Sequence, residues 1–384
     1  MSDRWRIGLL VNPYAGLGGP LALKGSDGCA VQALQAGAVP QAAARATQAI
    51  LALQPWWPQI DWLTGSGPLG EAVLAALGLP AQCCHHAQPA GGLQSQAEDS
   101  RQLAARLAAQ SPDLLLFAGG DGTARDVLSG AGVQQAVLGI PAGVKMQSAV
   151  FGHTPQASGL LAARFLSGSR RVTAQQEVMD LDEAALRQGR VQAALFGYMA
   201  TPVDPRYLQA GKSRAPEGDR VQTEAIAARV QEQLSPGVAH LFGPGSTTYA
   251  VKRLLGGGSL LGVDVWQDGH WRVEDATEAQ LWQHVQQGPC QAWVSCIGGQ
   301  GHVFGRGNQQ FSPRILQRLG PAAVTVLATP GKLQSLGGRP LLIDSGDPLL
   351  DAAFAGMARV WTGYRDEVRY RLRGEPPPAD DAAQ

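Results

Sequence analysis

The chain has 384 residues, with 31 Lys and Arg against 31 Asp and Glu, and 45% of it is hydrophobic. That hydrophobic share excludes a disordered protein, and the length suffices for two domains with cores of their own. The balanced charge, with a pI near 7.1, argues against broad electrostatic capture of nucleic acid or of an anionic membrane, so any phosphate site must be local. Over residues 1–150, short apolar runs alternate with Ala-rich stretches, the pattern of βα units around a parallel sheet. Strands are expected at 6–11, 59–63, 81–85, 113–118 and 136–140, with helices at 40–53, 69–77 and 97–110, where Ala, Leu, Gln and Arg favour helix. The pattern then changes: strands at 175–181 and 191–200 flank a turn at 187–190, and a charged stretch at 212–220 precedes a helix ending near 234. Further strands are expected at 239–242, 259–266, 292–297 and 322–327, and residues 374–384, rich in Pro, Ala and Asp, read as a frayed tail.

The segment 113–127 is the most informative. Its apolar run stops at Gly119-Gly120-Asp121-Gly122-Thr123 and helix-like sequence follows, so it reads as strand, phosphate loop and helix start. Glycines admit positive φ and let a polyphosphate approach the main chain, while the amides of the helix start supply donors and a positive dipole end. Among phosphates, a carboxylate at Asp121 makes sense as a base for an attacking hydroxyl or as a partner of Mg²⁺ held mainly through the phosphates. The alternative is a tight turn in which Asp121 caps the helix.

A second glycine-rich loop, Asn12-Pro13-Tyr14-Ala15-Gly16-Leu17-Gly18-Gly19, follows the first strand and continues to Lys24, its only cation. Phosphate loops in such folds cluster at the carboxyl ends of strands, so the Asn12 and Gly119 loops are read as one site. Lys24 either closes over donor phosphates or is a solvated loop lysine. Two further segments are Gly139-Ile140-Pro141-Ala142-Gly143-Val144-Lys145-Met146 and Gly243-Pro244-Gly245-Ser246-Thr247-Thr248-Tyr249-Ala250. The glycine-rich run 298–310 adds His302, Arg306 and Asn308, and serves either a ligand or close packing.

Together these motifs resemble the NAD kinase and diacylglycerol kinase superfamily, and within it the bacterial ATP-NAD kinase-like family, over most of the chain. The resemblance implies a parallel-sheet α/β domain at 1–150 carrying the nucleotide phosphates and a β-rich second domain at 151–373 with a mixed α/β C-terminal part. It also implies ATP with Mg²⁺ as donor, NAD as the default acceptor, and a homo-oligomer. On that reading Asp121 is catalytic. Phosphate or nucleotide binding falls to Asn12, Pro13, Gly16, Gly18, Gly19, Lys24, Gly119, Gly120, Gly122, Thr123, Gly143, Lys145, Gly245, Ser246, Thr247 and Thr248. The chain departs from the relatives at the acceptor side: Val144-Lys145-Met146-Gln147-Ser148 replaces both the Gly-x-Leu-Gly-Phe and the Gly-Thr-x-Asn patterns, and no Asn-Glu pair lies at a matching place. A different hydroxyl acceptor, polyphosphate as donor, a sugar kinase and a non-catalytic nucleotide-binding regulator remain alternatives.

Asp180, Asp182 and Glu183 form an acidic cluster that serves a metal, a ribose diol or a solvated face. The segments 329–332 and 344–347 are weaker candidates. Five cysteines, including adjacent Cys83 and Cys84, show neither metal spacing nor a disulfide framework, as expected of buried thiols in a reducing compartment. No apolar run approaches the roughly 20 residues needed to cross a bilayer, and the expectation is a soluble cytoplasmic protein with a small-molecule substrate, no nucleic acid and no membrane partner.

Overall fold

The computed structural model describes residues 4–23, 30–89, 91–144, 146–181, 193–210 and 219–374. By their packing these divide into two compact units, the first formed by 4–17 and 30–210, the second by 18–23 and 219–374. Lys24, Lys145, Asp182, Glu183, the turn at 187–190, most of the charged stretch 212–220, and 375–384 of the tail lie outside the described residues.

The first unit is built on five parallel strands: β1 (Trp5–Val11), β2 (Ile60–Gly65), β3 (Ala81–His85), β4 (Leu114–Gly119) and β5 (Val137–Pro141). The alternating pattern led to the expectation of a parallel sheet, and the order of its strands, β3-β2-β1-β4-β5, is a doubly wound one. A central strand of such a sheet is covered on both faces, which is why β4 reads Leu-Leu-Leu-Phe-Ala-Gly and is buried throughout. The period of two then divides it: Leu114, Leu116 and Ala118 join one core with helices Ala42–Leu51 and Pro155–Ser167, whereas Leu115 and Phe117 join the other with helices Ala97–Ala109 and Asp121–Ala131.

The described residues of 151–210, expected in the second domain, pack in the first unit instead. The Gly139 N–H donates to Val150 O at 2.8 Å and Gly152 N–H returns a bond to Gly139 O at 3.1 Å, so the chain beyond β5 is stitched back onto that strand. Helix Pro155–Ser167 then begins at a Thr154 cap, with Pro155 in its first turn, and buries most of its length. β6 (Thr173–Leu181) and β7 (Ala193–Pro202) follow as an antiparallel pair whose register shifts between Val178 and Met179.

The second unit is the β-rich one. Its described residues hold nine strands: β8 (Ala239–Phe242), β9 (Asp264–Gln267), β10 (His270–Val273), β11 (Cys290–Ser295), β12 (His302–Phe304), β13 (Val324–Leu327), β14 (Leu341–Ile343), β15 (Gly356–Trp361) and β16 (Glu367–Arg373). They form one sheet in the order β10-β9-β8-β11-β13-β15-β16-β14-β12, with β8, β11, β13 and β15 mutually parallel at its centre. The strand expected over 259–266 starts only at Asp264. Lys252, fully buried, pairs with the Asp264 carboxylate at 2.7 Å and donates to the carbonyls of Ser259 and Gly262, both at 2.9 Å, which folds 259–262 into a loop around its ammonium. Among the described residues no helix is long and apolar enough to cross a membrane.

Candidate active site

In the order β3-β2-β1-β4-β5 the sequence runs outward from β1 in one direction and from β4 in the other, so the crevice of the sheet opens beyond the carboxyl ends of β1 and β4. The loops after β1, β4 and β5 meet there. Asn12 N–H donates to Ala118 O at 3.0 Å, and its side chain spans to the second loop through an Nδ2 bond to Thr123 Oγ1 at 2.9 Å. Asn12 Oδ1 accepts from Tyr14 N at 3.1 Å, which winds the loop back on itself after Pro13. Tyr14 in turn accepts the Gln94 N–H at its hydroxyl.

The glycines mark where these loops touch backbone to backbone. Gly16 has φ +79°, and a Cβ there would lie 2.2 Å from Ala142 O. The amides of Ala142 and Gly143 both donate to Gly119 O, at 2.9 and 3.0 Å. A Cβ on Gly143 would lie 2.5 Å from the Gly120 Cα. Only glycine fits at such a crossing, because neither neighbour is a side chain that can turn away. Gly120 precedes the helix Asp121–Ala131 as its cap residue without a side-chain cap bond, and Gly122 and Thr123 occupy its first turn. First-turn amides have no intrahelical partner, and they are the donors that an anion requires.

Asp121 does not cap this helix. It is the first helical residue, and its carboxylate points to the chain after β5: Oδ2 accepts from Gln147 N at 2.7 Å, while Oδ1 accepts from Ser148 N at 3.0 Å and Ser148 Oγ at 2.6 Å. Ser148 Oγ also lies 2.9 Å from Met179 O, and accepts from Met179 N at 2.9 Å, so the start of the bulge in β6 anchors it. Burial pushes the Asp121 pKa up to about 7, against the Ser148 and Gln147 hydrogen bonds that pull it down; the neighbouring negative charge of Asp180 adds a smaller push upward. A carboxyl poised there is suited to take a proton from an alcohol near neutral pH. Asp180 itself pairs with Arg125 at 3.2 Å, so the described part of the acidic cluster is neutralised from the helix that Asp121 begins.

These residues do not make a metal cage. Three of the roughly four lone-pair positions of an ionised carboxylate are taken at Asp121. Among the described residues no group of three or more His, Cys, Asp and Glu side chains is placed to hold a metal ion. Mg²⁺ would therefore be held chiefly by phosphate oxygens, and no step below is routed through it.

In the second unit, Gly245 (φ +119°) precedes the helix Ser246–Leu254 without a side-chain cap bond, and Ser246 is exposed at its start. Thr248 Oγ1 turns back to Gly245 O at 2.9 Å. Thr247 Oγ1 accepts from Lys332 Nζ at 2.8 Å, and the same ammonium donates to Ser295 Oγ at 2.9 Å. Gly18 and Gly19 are described with this unit, where a Cβ on Gly19 would meet the Gln309 side chain at 2.9 Å.

The run 298–310 is a packed loop. Arg306 and Asp344 form a buried ion pair at 2.7 Å, and Asn308 accepts from Gly305 N and donates to Val303 O, closing the loop on itself. Thr329 and Asp347 cap the short helices that follow them. Sequence reasoning assigned no role to Ser148, Gln209 or Ser295, and counted Lys332 only within a weaker candidate segment. Nothing in the flanking residues singles out the first three, whereas Lys332 lies in a Thr-Pro-Gly-Lys stretch whose cap pattern announces a helix start.

Glycine loops, a helix start and a buried acid gathered beyond the carboxyl ends of the strands define a phosphoryl-transfer class of protein. Two family models match the chain, the ATP-NAD kinase N-terminal domain over residues 66–169 and the ATP-NAD kinase C-terminal domain over residues 237–372. With well over half of its length so matched, the chain belongs to the ATP-NAD kinase-like family. It is accordingly a kinase of the NAD kinase type, an ATP-binding phosphotransferase. Comparison with curated proteins and with solved structures gave no match.

Proposed function

We propose that this protein transfers the γ-phosphate of ATP to a hydroxyl of NAD, forming NADP, with Asp121 as the general base. The observation that carries the reading is the placement of Asp121: buried, with a pKa near 7, at the start of a helix where three glycine-rich loops converge. The Asn12 to Gly16 loop, Gly119 to Thr123 and Gly143 line the phosphate side on this reading, with the first-turn amides of the helix as donors. Gly245, Ser246, Thr247 and Thr248 of the second unit are proposed as nucleotide-binding residues. Lys24 and Lys145 are proposed as phosphate-binding cations, Mg²⁺ enters as the counter-ion of the triphosphate, and the working form is a cytoplasmic homo-oligomer.

The deprotonated Asp121 accepts the hydroxyl proton as the oxygen attacks the γ-phosphorus and the bond to ADP breaks. Ser148 gives the site a way to hold both protonation states. Its hydroxyl has one proton and two acceptors within reach, the Asp121 carboxylate and Met179 O. With Asp121 ionised, Ser148 donates to it. Once Asp121 carries the proton, it donates to Ser148 Oγ, whose own proton turns to Met179 O.

The test is NADP formation from ATP, Mg²⁺ and NAD, run beside Asp121→Asn and a panel of other hydroxyl acceptors. NADP made by the wild type and lost in Asp121→Asn supports the whole reading. ATP consumption that depends on Asp121 and on a different acceptor retires NAD and keeps the chemistry; the distinct sequence of 144–148 makes that the second reading.

A further inference from the structure

Outside the residues that touch Asp121, one buried side chain is connected to it through a single peptide group. Gln209 is 1% exposed. Its backbone already belongs to a local pairing, since His153 N donates to Tyr207 O and Gln209 N to Phe151 O, both at 2.8 Å. Its side chain turns to the chain after β5, where Nε2 donates to Ser148 O at 3.0 Å and approaches Met146 O at 3.4 Å. The Met146 carbonyl and the Gln147 N–H are the two ends of one peptide plane. That plane is thus held from one side by Gln209 and from the other by the Asp121 carboxylate, 2.7 Å from Gln147 N.

Such a chain of bonds does two things. A rotation of the 146–147 peptide would break both contacts together, so Gln209 fixes the direction of the Gln147 donor. Polarisation of the carbonyl by one amide also strengthens the N–H at the other end of the plane as a donor. The side chain keeps this position at a cost, because Gln209 Oε1 is buried with no hydrogen-bond partner among the described residues. The amide cannot be turned to relieve it, since the carbonyl oxygen would then face the carbonyls of Met146 and Ser148. A side chain needed only to fill space would be apolar here; buried polar groups left unsatisfied call for a functional reason.

We infer that Gln209 is a positioning residue for phosphoryl transfer, clamping the 146–148 backbone so that its amides and the Ser148 hydroxyl hold Asp121 in its reactive orientation. The inference rests on the kinase reading above. Gln209→Met keeps the length and removes both the donors and the orphaned acceptor, and Gln209→Asn keeps the amide but withdraws it by one methylene. In either variant we expect kcat for ATP-dependent phosphorylation of NAD, or of the acceptor found in the panel, to fall by about tenfold to a hundredfold. KM for both substrates should stay within about twofold of wild type, because the hydrogen bonds of Gln209 go to Met146, Ser148 and Phe151, none of them assigned to phosphate binding. Amide hydrogen exchange at Gln147 and Ser148 should accelerate by about tenfold or more, with the amides of β4 unchanged.

A kcat within twofold of wild type, or an unchanged exchange rate at Gln147, overturns the inference while leaving the kinase reading intact. If the wild-type protein transfers phosphate to no acceptor, it is the kinase reading that fails. The role proposed for Gln209 in transfer then fails with it, and faster exchange at Gln147 would show a structural clamp only.

Discussion

Replacing Asp121 by Asn tests the acid and its burial together, and the structure fixes the direction and size of both effects. A base with a pKa of about 7 is roughly one-eleventh ionised at pH 6, so wild-type kcat/KM should lie about tenfold below its plateau there and level off above pH 8. The Asn amide cannot accept the hydroxyl proton, and the loss expected for a general base is about a hundredfold to ten-thousandfold at the plateau. Stability moves the other way. The folded pKa lies above the ordinary 3.8, so between those values the folded protein binds more protons than the unfolded chain. Stability from this group is therefore present below pH 4, declines as pH rises towards 7, and is gone above it. Roughly three pK units at about 1.4 kcal/mol each make this about 4 kcal/mol. Asn does not ionise, but its NH₂ must face one of the donors from Gln147 or Ser148, a cost of about 1–3 kcal/mol at every pH. Asp121→Asn should thus be no more stable than wild type at pH 4.5 and about 1–3 kcal/mol more stable at pH 8. Denaturant unfolding of both proteins across that range, with kcat/KM measured alongside, checks it. A stability difference independent of pH, or a wild-type rate flat from pH 5.5 to 8, would refute the argument from burial.

Other substitutions probe the scaffold. Gly143→Ala sets a Cβ 2.5 Å from the Gly120 Cα, backbone against backbone, and should cost about 1–3 kcal/mol in thermal or denaturant unfolding and abolish most activity. Asn12→Ala removes the bonds to Thr123 Oγ1 and from Tyr14 N; a stability loss of about 1–2 kcal/mol and a raised KM for ATP are expected in steady-state kinetics, and an unchanged KM would place the loop outside the nucleotide site. Lys252→Met leaves the fully buried Asp264 carboxylate without its ammonium, and unfolding of the second unit, followed by the fluorescence of its tryptophans, should shift by about 3–5 kcal/mol.

What could be read in the sequence was what local chemistry dictates. β4 and the loop after it were legible because five apolar residues in a row and then two glycines leave the chain few options, and the helix beginning at Asp121 follows from the same break. The five-stranded sheet followed from the alternation of strand and helix. The helix Pro155–Ser167 carried a signal that went unused, Thr154 followed by Pro155 at its start. The β9–β10 hairpin did too: Asp268 and Gly269, at φ +50° and +83°, are the two-residue turn that such a pair favours. The late start of β9 was not legible, because it depends on Lys252, which lies near the end of the preceding helix and whose burial nothing in its neighbours announces.

The same division runs through the candidate site. Its front, the glycine loops and Asp121, consists of residues whose types are constrained by backbone geometry, and those leave a mark on sequence. Its back consists of Ser148 and Gln209, 27 and 88 positions beyond Asp121, whose contribution is a hydroxyl and an amide placed by tertiary structure. A serine or glutamine is common enough in any loop that its identity says nothing until its neighbours in space are known. Burial raises the Asp121 pKa, while hydrogen bonds from the back of the site pull it down, and the value near 7 is the balance between them. The front alone would give a carboxyl aimed by nothing and too weakly solvated to ionise at neutral pH. The residues that make Asp121 a usable base are thus the ones that a motif cannot report, and proteins with the same Gly-Gly-Asp-Gly-Thr segment can differ in the pH at which that base works.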